Sequence, residues 1–296
     1  MAYALEHLAI VGVGLIGGSV ARSLRAAGHA GRITGIGRDE QHLEKGRELG
    51  VVDDWTTDIR DGVADADAVL VSVPMGAYDS VFAALAGALP ERAVLTDAGS
   101  TKQHAVETAR RHLHEGELAR FVPAHPIAGT EHSGVESSLA SLFHGRLCVL
   151  TPMEQSTPEA VAAVAAMWQA TGSEVQTMTA AEHDDFLAAV SHLPHLLAFA
   201  LVDAVRKMGD AQHDPFRFAA GGFRDFTRIA SSSPEMWRDI ALVNRRSVLA
   251  KLDALEVELA ELRSALDAGD GQRLLDVFEA ARSARERWLA GHGGSL

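Results

Sequence analysis

With 296 residues, 47% of them apolar, the chain can bury one large core or two modest ones, which argues against a disordered protein and favours two domains. A formal charge of -13 disfavours extended contact with nucleic acid phosphates or anionic membranes, and obliges any anionic ligand to be met by specific local cations. The N-terminus lacks the basic and apolar regions of a secretion signal, and no apolar run approaches the length that spans a bilayer, so a soluble cytoplasmic protein with no membrane partner is expected.

In chain order, short β-branched runs alternate with helical patterns. Leu8 to Val11 is followed by a helix from Leu15 to Ala27, and Ile33 to Ile36 by a helix from Glu40 to Leu49. Ala68 to Val73, Ala93 to Asp97, Phe121 to Ala124, Leu147 to Leu150 and Glu174 to Met178 read as further strands. Strands separated by helices predict an α/β fold with a doubly wound, mostly parallel sheet. The single cysteine, Cys148, lies in one of these apolar runs and reads as a small core residue rather than a catalytic thiol.

Beyond Met178 the pattern is helical, broken at Gly209 to Pro215, at Gly221-Gly222 and at Ser231 to Pro234. Domains of residues 1–178 and 179–296 follow. Leu252, Leu255, Leu259, Leu262 and Leu266 form one apolar stripe on a long helix, either an internal seam or a dimer interface.

Gly12-Val13-Gly14-Leu15-Ile16-Gly17 follows an apolar strand and opens a helix, the context that makes this glycine pattern a dinucleotide loop. Gly12 permits the tight turn, Gly14 admits a pyrophosphate and Gly17 lets helix and strand approach, while the helix amides receive the anion. At the end of the second strand stands Gly37-Arg38-Asp39. An acid there suits the ribose of NAD and an arginine the 2′-phosphate of NADP; Gly37 takes the acid's place and Arg38 comes next, which favours NADP, while Asp39 keeps NAD open.

Ligands of such sheets bind beyond the carboxyl ends of the strands. Ser72-Val73-Pro74, Asp97-Ala98-Gly99-Ser100-Thr101-Lys102 and His125-Pro126-Ile127-Ala128-Gly129-Thr130-Glu131 occupy such places. His125 is the candidate base, since imidazole titrates near neutrality and can take a hydroxyl proton while hydride leaves the same carbon; Ser100 could hold that hydroxyl or orient the ring. A serine hydrolase is disfavoured because no GxSxG elbow is present.

In the helical half, His183-Asp184-Asp185 and the pair His192 and His195 look like metal ligands, but a third ligand at matching spacing is not evident and no metal is expected. Gly221-Gly222-Phe223-Arg224-Asp225-Phe226-Thr227-Arg228 reads as a flexible turn with two arginines, one of which could clamp a carboxylate while Asp225 pairs with the other.

Taken together, the glycine loop through Ser19, Asp97 to Lys102, His125 to Glu131 with Ser133-Gly134, Ser191 to His195, Gly221 to Arg228 and Met236 to Ile240 resemble the prephenate and arogenate dehydrogenase family, in family order over nearly the whole chain. The resemblance implies a Rossmann-like domain followed by an all-helical dimerisation domain of an intertwined homodimer, acting on a small dicarboxylate. It implies oxidative decarboxylation of a cyclohexadienyl acid, with hydride passing to NADP or NAD in tyrosine biosynthesis. His125 would draw the proton from the ring hydroxyl with Ser100 assisting, Arg228 would hold a carboxylate, and His195, His192, Thr130, Glu131 and Asp225 would shape the substrate pocket. The competing readings are a β-hydroxyacid or 6-phosphogluconate-type dehydrogenase, which would need a lysine base such as Lys207, and a dinucleotide sensor without turnover.

Overall fold

The computed structural model describes residues 5–130, 132–209 and 214–292. Glu131, residues 210–213 of one expected break and the last residues of the tail lie outside these ranges. The first part comprises β1 (Leu5–Val11), α1 (Leu15–Ala26), β2 (Ala30–Ile36), α2 (Glu40–Glu48), β3 (Asp54–Thr56), α3 (Ile59–Val63), β4 (Ala68–Val71), α4 (Tyr78–Leu85), β5 (Val94–Asp97), α5 (Lys102–His112), α6 (Glu115–Leu118) and β6 (Phe121–Val122). The six strands pair in parallel in the order β3-β2-β1-β4-β5-β6, the doubly wound arrangement expected of a Rossmann-like sheet.

Alternation along β1 shows why both faces are covered. Leu8 and Ile10 enter one apolar cluster with Val20, Leu24 and Ile33, whereas Ala9 and Val11 enter the opposite one with Val69, Val71 and Phe82. Each fully buried Leu or Ile contributes roughly 1.5–3 kcal/mol relative to exposure. The edge strand β3 has only three residues and no alternating apolar pattern, which is why the sequence did not announce it.

The strand expected over Phe121 to Ala124 is two strands in two sheets. Pro123 carries no N–H and has a fixed φ, so the ladder with β5 stops at Val122 and the chain turns into β7 (Ala124–Pro126). With β8 (Leu147–Leu150) and, after α7 (Pro158–Ala170), β9 (Glu174–Thr177), β7 forms a second sheet in the order β7-β8-β9. In it β7 runs antiparallel to β8, and Cys148 is fully buried there.

From Thr177 onward the described chain is helical. α8 (Ala180–Leu187) runs through a widened π turn (Ala188–His192) into α9 (Leu193–Met208). Pro194 lies in the first turn of α9, where a proline can give the preceding carbonyl no N–H and its ring crowds that carbonyl; the widened turn relieves both. The run Ala180–Met208, with a window of mean hydropathy 1.5, matches a membrane span by length and composition alone, which the apolar runs had not suggested. It nevertheless carries His183, Asp184, His192 and His195 into a polar cluster.

α10 (Gly221–Thr227) begins where a flexible turn was expected: Gly221 and Gly222 open the helix. First-turn amides have no intrahelical acceptor in any case, so glycine forgoes little there. α11 (Pro234–Val243) starts at the predicted break, with the Ser233 hydroxyl accepting the Met236 N–H at 3.3 Å. By contact density the chain divides into Met1–Arg245 and Arg246–Leu296. The second unit holds α12 (Arg245–Asp267) from its second residue onward and α13 (Gly271–His292), joined through Gly269 at positive φ and tied by an Arg273–Glu261 ion pair. On α12, Leu252, Leu255 and Leu262 are half-buried while Leu259 and Leu266 are exposed, and α13 exposes Leu275, Phe278 and Trp288.

Candidate active site

The glycine loop has the geometry its sequence predicts. Gly12 adopts φ 97°, and a Cβ there would lie 2.4 Å from the Ser72 carbonyl oxygen. A Cβ on Gly17 would lie 2.3 Å from the Gly12 oxygen, so any side chain would separate helix from strand. Gly14, by contrast, has nothing within 4 Å of its would-be Cβ. It leaves room for a ligand against the start of α1, where the first intrahelical bond runs from the Gly18 N–H to the Gly14 carbonyl. The amides of Leu15, Ile16 and Gly17 therefore carry no such bond, which suits them to a pyrophosphate. β4 ends at Val71, two residues earlier than the sequence suggests, and just beyond it Ser72 and Val73 border this loop, followed by Pro74.

At the end of β2 the two polar residues divide their tasks. The Asp39 carboxylate caps α2, accepting the His42 N–H at 3.1 Å, and the His42 ring bonds the Val13 carbonyl of the glycine loop at 2.8 Å. Arg38 is exposed and has no partner among the described residues, and Gly37 packs on Leu43. The residues present thus fit a dinucleotide.

His125 lies in β7, just past the point where the chain changes sheets. Its Nδ1 is 2.9 Å from Nε2 of His183, and His183 Nδ1 is 2.8 Å from Oδ1 of Asp184. Asp184 also accepts the backbone N–H of Lys102 at 2.7 Å and of Gln103 at 2.9 Å. Burial by itself would raise the Asp184 pKa, but these bonds hold it below the usual carboxylate range. An ionised Asp184 can only accept, so His183 carries its proton on Nδ1 and offers Nε2 as acceptor. His125 in turn donates from Nδ1 and keeps the Nε2 lone pair free, the form a base needs. Desolvation chiefly, then the neighbouring His183, Lys102 and His192, lowers the His125 pKa well below its ordinary value. No hydrogen bond joins Ser100 to His125 among the described residues; the orienting contact comes from His183.

A second polar cluster borders this chain. Asn244 Nδ2 donates to the Asp184 carbonyl at 2.9 Å and to His192 Nδ1 at 3.1 Å. An amide nitrogen has only protons to give, so His192 Nδ1 is the acceptor and its proton sits on Nε2, a buried donor without a partner among the described residues. Burial above all takes the His192 pKa down to about 4. His195 stacks on Trp237 at 3.5 Å between ring centroids, and its Nδ1 donates to the Ser191 carbonyl at 2.9 Å. Desolvation lowers the His195 pKa, and Arg228 is close enough to lower it further.

Other predicted site residues lie apart from these clusters or at their edge. Asp225 pairs with Arg224 at 3.1 Å on the surface, both strongly exposed. Thr130 is exposed and accepts the His132 N–H at 3.2 Å, and Glu131 lies outside the described residues. Lys207 sits in a surface ion pair with Asp203 at 2.5 Å and enters neither histidine cluster, which removes the support for a lysine base.

Two family profiles cover this geometry: prephenate dehydrogenase, nucleotide-binding domain, over residues 20–177, and prephenate dehydrogenase, dimerization domain, over residues 179–280. The chain belongs to the prephenate dehydrogenase family. It is 37% identical to a cyclohexadienyl dehydrogenase of Zymomonas mobilis, with 95% of each chain covered. It is 34% identical to a prephenate dehydrogenase of Bacillus subtilis, over 95% of this chain and 76% of that protein. Among solved structures, prephenate dehydrogenase from Aquifex aeolicus in complex with hydroxyphenyl propionate and NAD+ superposes with TM-score 0.90 at 36% identity, covering 97% of this chain and 99% of that one. Synechocystis arogenate dehydrogenase gives TM-score 0.77 at 27% identity, with 95% and 99% covered.

As a member of the prephenate dehydrogenase family the chain is a nicotinamide-dinucleotide-dependent oxidoreductase. In the sequence His183 and Asp184 look only like metal ligands, and neither Asn244 nor Trp237 has a role of its own. Trp237 stood within the family motif Met236 to Ile240, whereas Asn244 carries no local signal at all.

Proposed function

We propose that this chain oxidatively decarboxylates prephenate, and arogenate as a related substrate, within tyrosine biosynthesis. The observation that carries the reading is the Asp184–His183–His125 chain, which leaves one unprotonated imidazole nitrogen in β7, just past the carboxyl end of β6, the side on which ligands of the parallel sheet bind. His125 Nε2 takes the proton of the ring hydroxyl, with Ser100 at the same strand-end face to hold that oxygen. Arg228 clamps a substrate carboxylate, beside the His195–Trp237 stack, and His192 and Thr130 border the pocket. When bound, the dinucleotide supplies the nicotinamide that accepts hydride from the hydroxyl-bearing carbon. Loss of the ring carboxylate as carbon dioxide then makes the ring aromatic, which drives the reaction, so the protein needs to supply only orientation, a modest base and an anion clamp.

On the cofactor, the reading favours NADP. Asp39 is engaged as a helix cap, and Arg38 is the cation available to a 2′-phosphate. The division into residues 1–178 and 179–296, a homodimer built through the helical half and a cytoplasmic location belong to the same reading. Supporting the homodimer are the match to a dimerization domain and the exposed Phe186, Val190, Leu242, Leu249 and Leu259 of the helical half. The test is kcat/KM for prephenate and for arogenate, each with NAD and NADP, followed at 340 nm. Reduced cofactor with prephenate, and a higher value with NADP, is the expected result; absence of turnover with every pair rejects the function and would leave a dinucleotide sensor.

A further inference from the structure

Lys102 and Asp97 are both completely buried, and their ammonium and carboxylate meet at 2.5 Å. Two buried charges are expensive to desolvate and are retained only where other bonds complete them. Here those bonds converge on one residue. Asp97 Oδ1 accepts the Ala124 N–H at 3.0 Å, and Lys102 Nζ donates to the Ala124 carbonyl at 2.6 Å. Asp97 Oδ2 takes in addition the Tyr78 hydroxyl at 2.7 Å and the Gly99 N–H at 2.9 Å, so the carboxylate is saturated. The β5–β6 ladder ends at the Thr96 and Val122 pair, and the backbone groups of Ala124 go to this ion pair instead.

Ala124 is the residue bonded to His125. The same lysine reaches the far end of the histidine chain as well, since its backbone N–H donates to the Asp184 oxygen that also receives His183 Nδ1. One residue therefore fixes His125 from the backbone side and from the side-chain side. We propose that Lys102 is a positioning residue for His125, its ammonium seated on Asp97 to hold the Ala124 peptide and its N–H anchoring Asp184 behind His183. Geometry is one half of this role and charge the other. The ionisable groups around His125 are His183 and Asp184 on α8, His192 in the π turn, Cys148 on β8, Asp97 on β5 and Lys102 on α5. Of these Lys102 supplies a positive charge beside the ring, and a charge so placed disfavours protonation of His125 and keeps it in the accepting form.

The role rests on His125 being the base, and the experiment separates the two. Lys102→Met and Asp97→Asn are compared with the unaltered chain and His125→Asn by kcat, by the KM of both substrates, and by the acid limb of kcat/KM against pH. Lys102→Met should lower kcat by about 10- to 100-fold with both KM values little changed, the order of loss expected when a reacting group is displaced by a fraction of an ångström. Its acid limb should move to higher pH, and that of Asp97→Asn to lower pH, because the two substitutions remove opposite charges. A merely structural pair would lower activity with the limbs unmoved or moved together, and that outcome overturns the proposal, as does unchanged kcat. Should Lys102→Met not fold, Lys102→Arg and Asp97→Asn carry the test: the arginine keeps the limb and loses kcat, the asparagine shifts the limb down, and failure of either sinks the idea. Turnover by the unaltered chain that His125→Asn abolishes, with Lys102→Met equal to the parent, rejects this role alone. No turnover by the unaltered chain rejects the function itself.

Discussion

The imidazoles of His125 and His183 meet edge to face at 62°, with 5.1 Å between ring centroids and 2.9 Å between Nδ1 and Nε2. Because His183 receives its own orientation from an ionised Asp184, the direction of every proton in the chain is set from its carboxylate end. His125→Asn should lower kcat by roughly 10²–10⁴-fold while dinucleotide affinity changes little, as for removal of a general base. Cofactor titration alongside turnover checks this, and equal loss of both would reject His125 as the base.

Asp184→Asn tests the origin of the proton direction. An amide nitrogen facing His183 Nδ1 would donate instead of accept and favour the wrong tautomer along the chain. The expected result is a fall in kcat of about 10-fold or more with substrate KM nearly constant. A variant that matches the parent in kcat removes the carboxylate from the mechanism.

Arg228→Ala should act on binding, raising the substrate KM by about 10- to 100-fold with a smaller effect on kcat, since a carboxylate clamp serves ground state and transition state alike. Steady-state kinetics at saturating cofactor decide it, and a pure kcat defect contradicts the clamp.

For the cofactor, Arg38→Ser should reduce kcat/KM for NADP by about 10-fold or more and leave the value for NAD nearly unchanged, because a charge-assisted contact to phosphate contributes roughly 1.5–3 kcal/mol. Parallel loss with both dinucleotides would show that Arg38 does not read the 2′-phosphate.

His192 gives a dependence of stability on pH. Its folded pKa of about 4 lies below the value of about 6.5 of an unfolded chain, so the unfolded state binds the proton first as the pH falls. The stabilisation is complete above pH ~6.5 and is lost progressively down to pH ~4, by up to about 3 kcal/mol, with His125 and His183 shifted in the same direction. Thermal midpoints measured across this window should fall with pH, and His192→Gln should flatten the slope; a slope that the substitution leaves intact assigns the effect elsewhere.

Local chemistry determined a large part of this protein in the sequence itself. The glycine loop, the apolar run of β1 and the helical pattern after Met178 are properties of neighbouring residues, and the structure has each, with β1 starting earlier, at Leu5, and α10 opening at the expected break of Gly221-Gly222. The motifs at Asp97, His125 and Arg228 likewise identified the family from their order along the chain. What the sequence could not decide is which distant groups meet. His125 and His183 are 58 residues apart and meet because a strand that leaves one sheet at Pro123 packs against α8, while His192 and Asn244 are 52 apart and meet because the end of α11 packs against the π turn. Whether His183 and Asp184 reach His125 depends on packing of this kind, whereas the Asp39 cap of α2 is a contact between residues three apart. Backbone periodicity follows from the residues nearby, whereas the partner of a buried polar side chain follows from the fold that excludes water around it.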